Sequence, residues 1–199
     1  MKKIILASAS PRRRELLENI GVDFEVVVSD ADESSIPDDI APELYVQELA
    51  LLKACDTAKK LDKKNLKDTL VISADTVVVS EGEILGKPYD TADAEVMLTR
   101  LSGKVHQVMT GICVFRMRDG FSVCDSVVTN VKFKELSAEV IKAYAASGES
   151  LDKAGAYGIQ GLGALLCEKL DGDYFNVVGL PVSRLYDILK NEFEYDLLK

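Results

Sequence analysis

The chain has 199 residues, 47% of them hydrophobic and 29% charged, with a net charge of −9 at pH 7. That length fits one large domain or two small lobes sharing a core, and the composition supplies enough apolar side chains for a sizeable interior. The acidic balance argues against general attraction to nucleic acid or to an anionic membrane surface, and no apolar run is long enough to span a bilayer.

Four cysteines (Cys55, Cys113, Cys124 and Cys167) with no C-x-x-C pair, and a single histidine, argue against a zinc site. They read as reduced, buried thiols of a cytoplasmic protein. The opening Met1-Lys2-Lys3 and the apolar residues after it resemble a signal peptide only briefly, because the apolar run is too short and arginines follow at once.

Ile4-Ile5-Leu6 reads as a short buried strand. Ser8 and Ser10 follow; Ser10 is a good N-cap, and Pro11 suits the first helical position, where no N–H is needed. An amphipathic helix with Leu16, Leu17 and Ile20 then ends at Gly21. Arg12, Arg13 and Arg14 crowd its first turn against the helix dipole, at a cost of a few tenths to ~1 kcal/mol per charge. A bound anion would offset that cost. Free N–H groups, the two serine hydroxyls and guanidinium forks suit phosphate, while Arg14 fits a solvated helix end equally well.

Residues 24–28 read as a second strand, and the acidic segment 29–41, with Asp30, Asp32, Glu33, Asp38 and Asp39, as a surface loop. Pro42 opens a helix to about Leu61, with Tyr45, Leu49 and Leu52 on one face. Lys53 lies one position beyond that stripe, where it either reaches a cleft or extends into solvent. Leu70-Val71-Ile72 and Val77-Val78-Val79 read as two short strands around Ser73-Ala74-Asp75-Thr76. Aspartate is depleted from such strands, so Asp75 marks a bulge, a functional rim or a turn. Glu81-Gly82 is a hairpin turn and Ile84-Leu85 the return strand; Lys87 then sits between Gly86 and Pro88.

Residues 91–101 form a helix with Ala94, Met97, Leu98 and Leu101 on one side. Residues 105–117 and 121–133 form a long antiparallel pair around a two-residue Asp119-Gly120 turn. His106 lies in the first of these strands and is assigned a structural or hydrogen-bonding role; Ser102-Gly103 is a turn. Ser137 caps a helix over 138–146 that Gly148 closes. Residues 152–161 are glycine-rich and carry Tyr157, which packs beneath the loop, and Gln160; such a loop lets backbone approach a ligand closely. A strand at 164–167 and an Asp171-Gly172 turn follow, and residues 176–181 lead into a last amphipathic helix with Leu185, Ile188 and Leu189.

Together these residues give a cationic set (Arg12, Arg13, Lys53, Lys87), an acidic set (Glu33, Asp75) and a glycine loop bearing Gln160. Such a set suits phosphoryl-group chemistry: cations for a polyphosphate, carboxylates for a divalent metal and for water, and a pocket of small residues for a base. The G-x-x-x-x-G-K-[ST] and G-x-G-x-x-G patterns of other nucleotide sites are absent.

Essentially end to end, the sequence resembles the Maf family of nucleoside triphosphate pyrophosphatases, as a single Maf-like domain over 1–199. The resemblance is carried by Leu6-Ala7-Ser8-Ala9-Ser10-Pro11-Arg12-Arg13, Glu33, Lys53, Ala74-Asp75-Thr76-Val77, Gly86-Lys87-Pro88, residues 101–108 and residues 152–161. It implies an α/β fold of the Maf/ITPase-like kind, with a mixed, twisted central sheet flanked by helices, two lobes with a cleft between them, and often a homodimer. It implies hydrolysis of a nucleoside triphosphate to the monophosphate and pyrophosphate with a divalent cation, Mg²⁺ or Mn²⁺. The family's catalytic acid–base aspartate maps onto Asp75, with Lys53 and Lys87 beside it in catalysis. The specificity positions map onto Arg12, Thr76 and Gln160. Phosphate binding falls to Ser8, Ser10, Arg12, Arg13, Lys53 and Lys87, and metal binding to Glu33 and Asp75, although a carboxylate in an acidic loop is equally just solvated.

The Asp75-Thr76 pair and the run 156–160 resemble the branch acting on dTTP and UTP, with CTP and modified pyrimidine nucleotides as further candidates and a link to cell-division arrest. Two other readings stay open. A nucleotidyltransferase would need an acceptor in place of water. A nucleotide-binding regulator of septum formation would have no turnover, but an unpaired Asp75 among phosphate-binding cations would give it only repulsion.

Overall fold

Ile4, Ile5 and Leu6 form the buried part of β1 (Lys3–Leu6) in the computed structural model, which describes residues 2–37, 39–61 and 68–199. All three side chains are buried, so the strand is covered on both faces, as strands in parallel arrangements are. It pairs in parallel with β2 (Phe24–Val26) and with β3 (Thr69–Ser80), where Leu6 lies opposite Ile72. The strand order is β2-β1-β3-β5-β6-β7, with β5 at Val105–Arg116, β6 at Ser122–Phe133 and β7 at Cys167–Asp171; β4 (Glu83–Leu85) pairs antiparallel with β3. With α1 (Pro11–Asn19), α2 (Pro42–Lys60), α3 (Thr91–Leu101), α4 (Ala138–Ala145), α5 (Tyr174–Val178) and α6 (Val182–Phe193), this is the mixed α/β sheet with helices that the sequence leads one to expect. The chain divides into two units, one of Met1–Asp75, Thr110–Val127 and Gly179–Lys199, the other of Thr76–Met109 and Val128–Val178.

In the first unit, α1 begins as expected, with Ser10 at the N-cap and Pro11 at the first turn, and Gly21 follows its end with φ 73°. β2 is shorter than the sequence implies. Beyond Val27 the chain turns to α2 instead: the Ser29 hydroxyl and the Asp30 N–H donate to the Asp56 carboxylate at 2.9 and 2.8 Å. Asp38, part of the expected acidic loop, lies outside the described residues. The buried stripe of α2 is Val46, Leu49, Ala50, Ala54, Thr57 and Ala58, so only Leu49 of the expected triplet is fully buried. Small side chains explain the shift, because the helix lies close upon its support. A Cβ on Gly111 would fall 2.1 Å from the Val46 carbonyl oxygen, and the buried Ser73 hydroxyl donates to the Ala50 carbonyl at 2.6 Å. Ile5, Ala7, Ala50, Ala54, Val71 and Cys113 share one core cluster. Each large side chain fully buried in such a cluster contributes about 1.5–3 kcal/mol. Cys113 is buried, whereas Cys55 and Cys124 are half-buried, and all are free thiols.

β3 runs unbroken through Asp75, which neither ends the strand nor turns it; the expected pair of short strands is one strand of 12 residues. The β5–β6 turn is longer than two residues. The Arg116 N–H donates to the Phe121 carbonyl, and residues 117–120 loop out so that Asp119 receives Arg116 Nε and Nη2 at 2.9 and 3.0 Å. α6 buries Leu185, Ile188 and Leu189 as its spacing predicts.

In the second unit, Glu81 and Gly82 both take positive φ, as a two-residue hairpin requires. α3 matches its expected range and is capped by Asp90, whose carboxylate accepts from the Asp93 N–H at 2.8 Å. α4 starts at the expected Ser137 cap. Leu98, Leu101, Val131, Phe133, Ile141 and Tyr144 lead the core cluster of this unit. Residues 164–167 are not a strand. Gly161–Leu165 is a 3₁₀ turn, because Gly163 packs its backbone onto the Gly158 carbonyl where a Cβ would be 2.0 Å away; β7 starts only at Cys167, opposite Phe133. The short helix α5 is unanticipated. It sets the buried Asn176, whose amide donates to the Val108 carbonyl at 3.0 Å and to Thr129 Oγ1 at 2.9 Å.

Candidate active site

β1 and β3 run parallel, and β3 continues past Ile72, the partner of Leu6, so the stretch of β3 just beyond Ile72 lies off the carboxyl end of β1, the kind of place at which α/β sheets hold ligands. The chain leaves β1 through residues 7–10 into the capped start of α1. The Ser10 hydroxyl accepts from the Arg13 N–H at 3.4 Å, and the Ser8 hydroxyl accepts from the Ser10 N–H at 3.3 Å. Arg13 folds back over this turn: Nη1 donates to Ser8 Oγ at 3.2 Å and Nε to the Gly179 carbonyl at 2.7 Å. Gly179 is a site residue that no sequence signal marked, since its contribution is a backbone oxygen. Burial pushes the Arg13 guanidinium below its ordinary pKa; the Asp75 charge raises it, the Arg12 charge lowers it and the Glu33 charge raises it. These four charges therefore share one electrostatic neighbourhood. Arg12 is half-buried, and Arg14 is exposed, as a solvated helix end would be.

Asp75 lies in β3 three residues past the partner of Leu6. Lys53 projects from α2 between the buried Ala50 and Ala54. Its ammonium lies 2.5 Å from Asp75 Oδ1 and 2.9 Å from Glu33 Oε1. The Lys53 and Asp75 side chains are 15% and 14% exposed and that of Glu33 is 54% exposed, so the pair is largely desolvated while Glu33 approaches it from solvent. Lys53 thus reaches inward, and the Glu33 loop is ordered in a 3₁₀ turn capped by Asp32. The expectation of an unpaired Asp75 is corrected. Its charge is matched by Lys53, so repulsion from a lone carboxylate does not argue against a pure binder.

In the second unit, Thr76 is half-buried in β3, and Lys87 and Gln160 are exposed. The Gly155 N–H donates to the Gly86 carbonyl at 2.9 Å, which ties the Lys87 segment to the glycine-rich run. Several glycines of that run serve packing within the protein. Gly155, at φ 65°, faces Val78, where a Cβ would be 2.9 Å from a methyl group, and Gly163 abuts Gly158. Tyr157 is buried and its hydroxyl lies 2.6 Å from His106 Nε2. The histidine is therefore a core group, in line with its expected structural role.

Two carboxylates converging on one ammonium is a donor set that fits a hard divalent cation, provided phosphate oxygens complete the shell. Among the described residues no three His, Cys, Asp or Glu side chains gather closely enough to hold an ion by themselves.

The structure is thus an α/β sheet with a capped arginine turn and a lysine–dicarboxylate cluster off the carboxyl end of β1, a set of groups whose chemistry suits phosphate oxygens. The family model described as Maf-like protein matches residues 3–192, and the chain belongs to the Maf family. It is 53% identical over 196 residues to the dTTP/UTP pyrophosphatase of Thermoanaerobacter sp. (strain X514), covering 98% of this chain and 100% of that one. It is 54% identical over 201 residues to the dTTP/UTP pyrophosphatase of Acetivibrio thermocellus, covering 100% and 99%. Among solved structures, the Ham1 protein of Staphylococcus aureus aligns with 81% of this chain and 78% of its own at 20% identity, with a TM-score of 0.49.

Proposed function

We propose that this protein hydrolyses nucleoside triphosphates, dTTP and UTP foremost, to the monophosphate and pyrophosphate. The observation that carries the reading is the Lys53 ammonium held between Asp75 and Glu33 in the electrostatic neighbourhood of Arg12 and Arg13. Relatives named dTTP/UTP pyrophosphatase, alike along their whole length, favour it over a transferase or a regulator without turnover.

The arginine turn, with Ser8, Ser10, Arg12 and Arg13, takes phosphate oxygens, and Lys53 and Lys87 add charge. Water attacks the α-phosphorus, its bond to the α–β bridging oxygen breaks, and pyrophosphate leaves with the bonding pair. Asp75 accepts the proton of that water. Glu33 and Asp75 would hold Mg²⁺ or Mn²⁺ together with the substrate's phosphates. When bound, such an ion withdraws charge from the phosphoryl oxygens. Lys53 then exchanges its carboxylate partners for phosphate. Arg12, Thr76 and Gln160 select the base. Four free thiols suit a reducing cytoplasm, and no helix among the described residues is long and apolar enough to cross a membrane. We assign the whole chain to one Maf-like domain that works as a homodimer.

The test is a panel of nucleoside triphosphates with Mg²⁺ or Mn²⁺, scored for pyrophosphate against orthophosphate. Pyrophosphate and monophosphate, fastest with UTP or dTTP, are expected. Pyrophosphate from purine nucleotides alone would overturn the base assignment, and no release without an added acceptor would overturn hydrolysis.

The Gln160 amide can donate to O4 and accept from N3–H of uracil or thymine. Gln160→Glu loses the donor and gains an acceptor that suits the cytosine amino group. The UTP-over-CTP ratio of kcat/KM is expected to fall by about tenfold or more. An unchanged ratio would remove Gln160 from base reading.

A further inference from the structure

Gln160 is exposed and occupies the N-cap position of a 3₁₀ turn without a capping hydrogen bond from its side chain, so that side chain is only as well placed as the backbone beneath it. That backbone is gripped from one side. On the N-terminal flank the Gly158 N–H donates to the Tyr144 hydroxyl at 3.3 Å, and Tyr144 is a buried residue of α4. On the C-terminal flank the Leu162 N–H donates to both oxygens of Glu149, at 3.3 and 3.2 Å. Glu149 stands on the turn that closes α4, after Gly148 at φ 83°. Gly161, at φ 62°, leaves room for the carboxylate: a Cβ there would lie 2.9 Å from Glu149 Oε2. The Lys153 stem lies along Gly158, where a Cβ would be 2.9 Å from its Cε, and its ammonium bonds the Glu149 carbonyl and, at 2.6 Å, Asp152. Leu162 is otherwise a surface residue of a turn, and a carboxylate on its N–H is not needed to close the core.

We propose that Glu149 is a positioning residue for base selection, its carboxylate fixing the Leu162 N–H and thereby the backbone that presents Gln160. This rests on the assignment of Gln160 to the base. A side chain that discriminates by two hydrogen bonds must be held within a fraction of an ångström, and one flank released lets the amide wander. Glu149 touches neither phosphate nor water in this scheme, so its removal acts on the base term alone.

The experiment measures kcat/KM for UTP and for CTP in the wild type, Glu149→Ala, Glu149→Gln, Gln160→Ala and the double variant Glu149→Ala/Gln160→Ala. Glu149→Ala is expected to lower the UTP-over-CTP ratio about tenfold, through KM for UTP, with CTP hydrolysis unchanged. Glu149→Gln keeps an oxygen that accepts from Leu162 and restores the ratio. In the Gln160→Ala background, Glu149→Ala changes nothing further, because the two act as one unit. If Glu149→Ala loses its thermal transition, Glu149→Asp, one methylene short of the Leu162 N–H, serves the same comparison. An equal loss for both nucleotides makes Glu149 merely structural and overturns the proposal. So does a ratio that moves in Gln160→Ala but not in Glu149→Ala, which leaves the Gln160 assignment standing. A ratio untouched by Gln160→Ala overturns both.

Discussion

Replacing Asp75 with asparagine is expected to lower kcat for pyrophosphate release by about 10²–10⁴-fold, the usual contribution of a positioned general base. Asparagine has the shape of aspartate but does not take a proton from water at neutral pH. The substitution also leaves the Lys53 ammonium a charged partner, since Glu33 Oε1 lies 2.9 Å from it. The buried lysine is therefore not stranded, which separates loss of catalysis from loss of fold. Nucleotide affinity measured without the divalent cation should hold or tighten, because one negative charge leaves the neighbourhood in which the triphosphate is received. The check is kcat and KM for UTP alongside nucleotide affinity and a thermal melt of the same variant. Undiminished kcat would take the base role from Asp75. A raised KM with kcat preserved would recast it as the residue that orients Lys53.

The start of α1 was legible because everything that shapes it is local. A strand, small hydroxyl residues, a cap and a proline stand within a dozen residues, and the structure keeps all of them. Lys53, Asp75 and Glu33 were legible as chemistry but not as a cluster. Their meeting depends on Ala50 and Ala54 bringing α2 close to its support, which shifts the buried stripe one position from where Tyr45 and Leu52 would put it. Once α2 is turned that way, Lys53 faces Asp75 and cancels the repulsion that an isolated carboxylate would exert. The sequence implies a break at Asp75 because aspartate is rare in such runs; a lysine partner removes the reason for the break. The glycine-rich run posed a different ambiguity. A missing side chain makes room for a ligand or for the protein itself, and sequence does not distinguish them. Gly155 admits Val78 and Gly163 admits the Gly158 backbone, while the adjoining Gln160 remains exposed.

The single histidine makes acid stability a second large expectation. His106 is 2% exposed, its Nε2 lies 2.6 Å from the Tyr157 hydroxyl, and the Phe133 ring meets it edge-on at 4.9 Å. Among the described residues its Nδ1 has no hydrogen-bond partner. Burial holds its pKa down to about 4, against an ordinary 6.5. The folded chain therefore refuses a proton that the unfolded chain accepts. His106 costs no stability above pH 6.5; as pH falls from 6.5 toward 4 the unfolded state is progressively favoured, by about 3 kcal/mol once both limits are passed. Between pH 6.5 and 5 this group is nearly alone, because ordinary carboxylates titrate below that window. Denaturant unfolding at closely spaced pH values should show a loss approaching about 1.4 kcal/mol per pH unit there. A His106→Gln variant, whatever its own stability, should lose that slope. The imidazole signals in a proton NMR titration of the folded protein should stay in their neutral positions at pH 5.5. A midpoint near 6.5 would mean that the ring reaches water and that the buried His106–Tyr157 pair does not persist in solution.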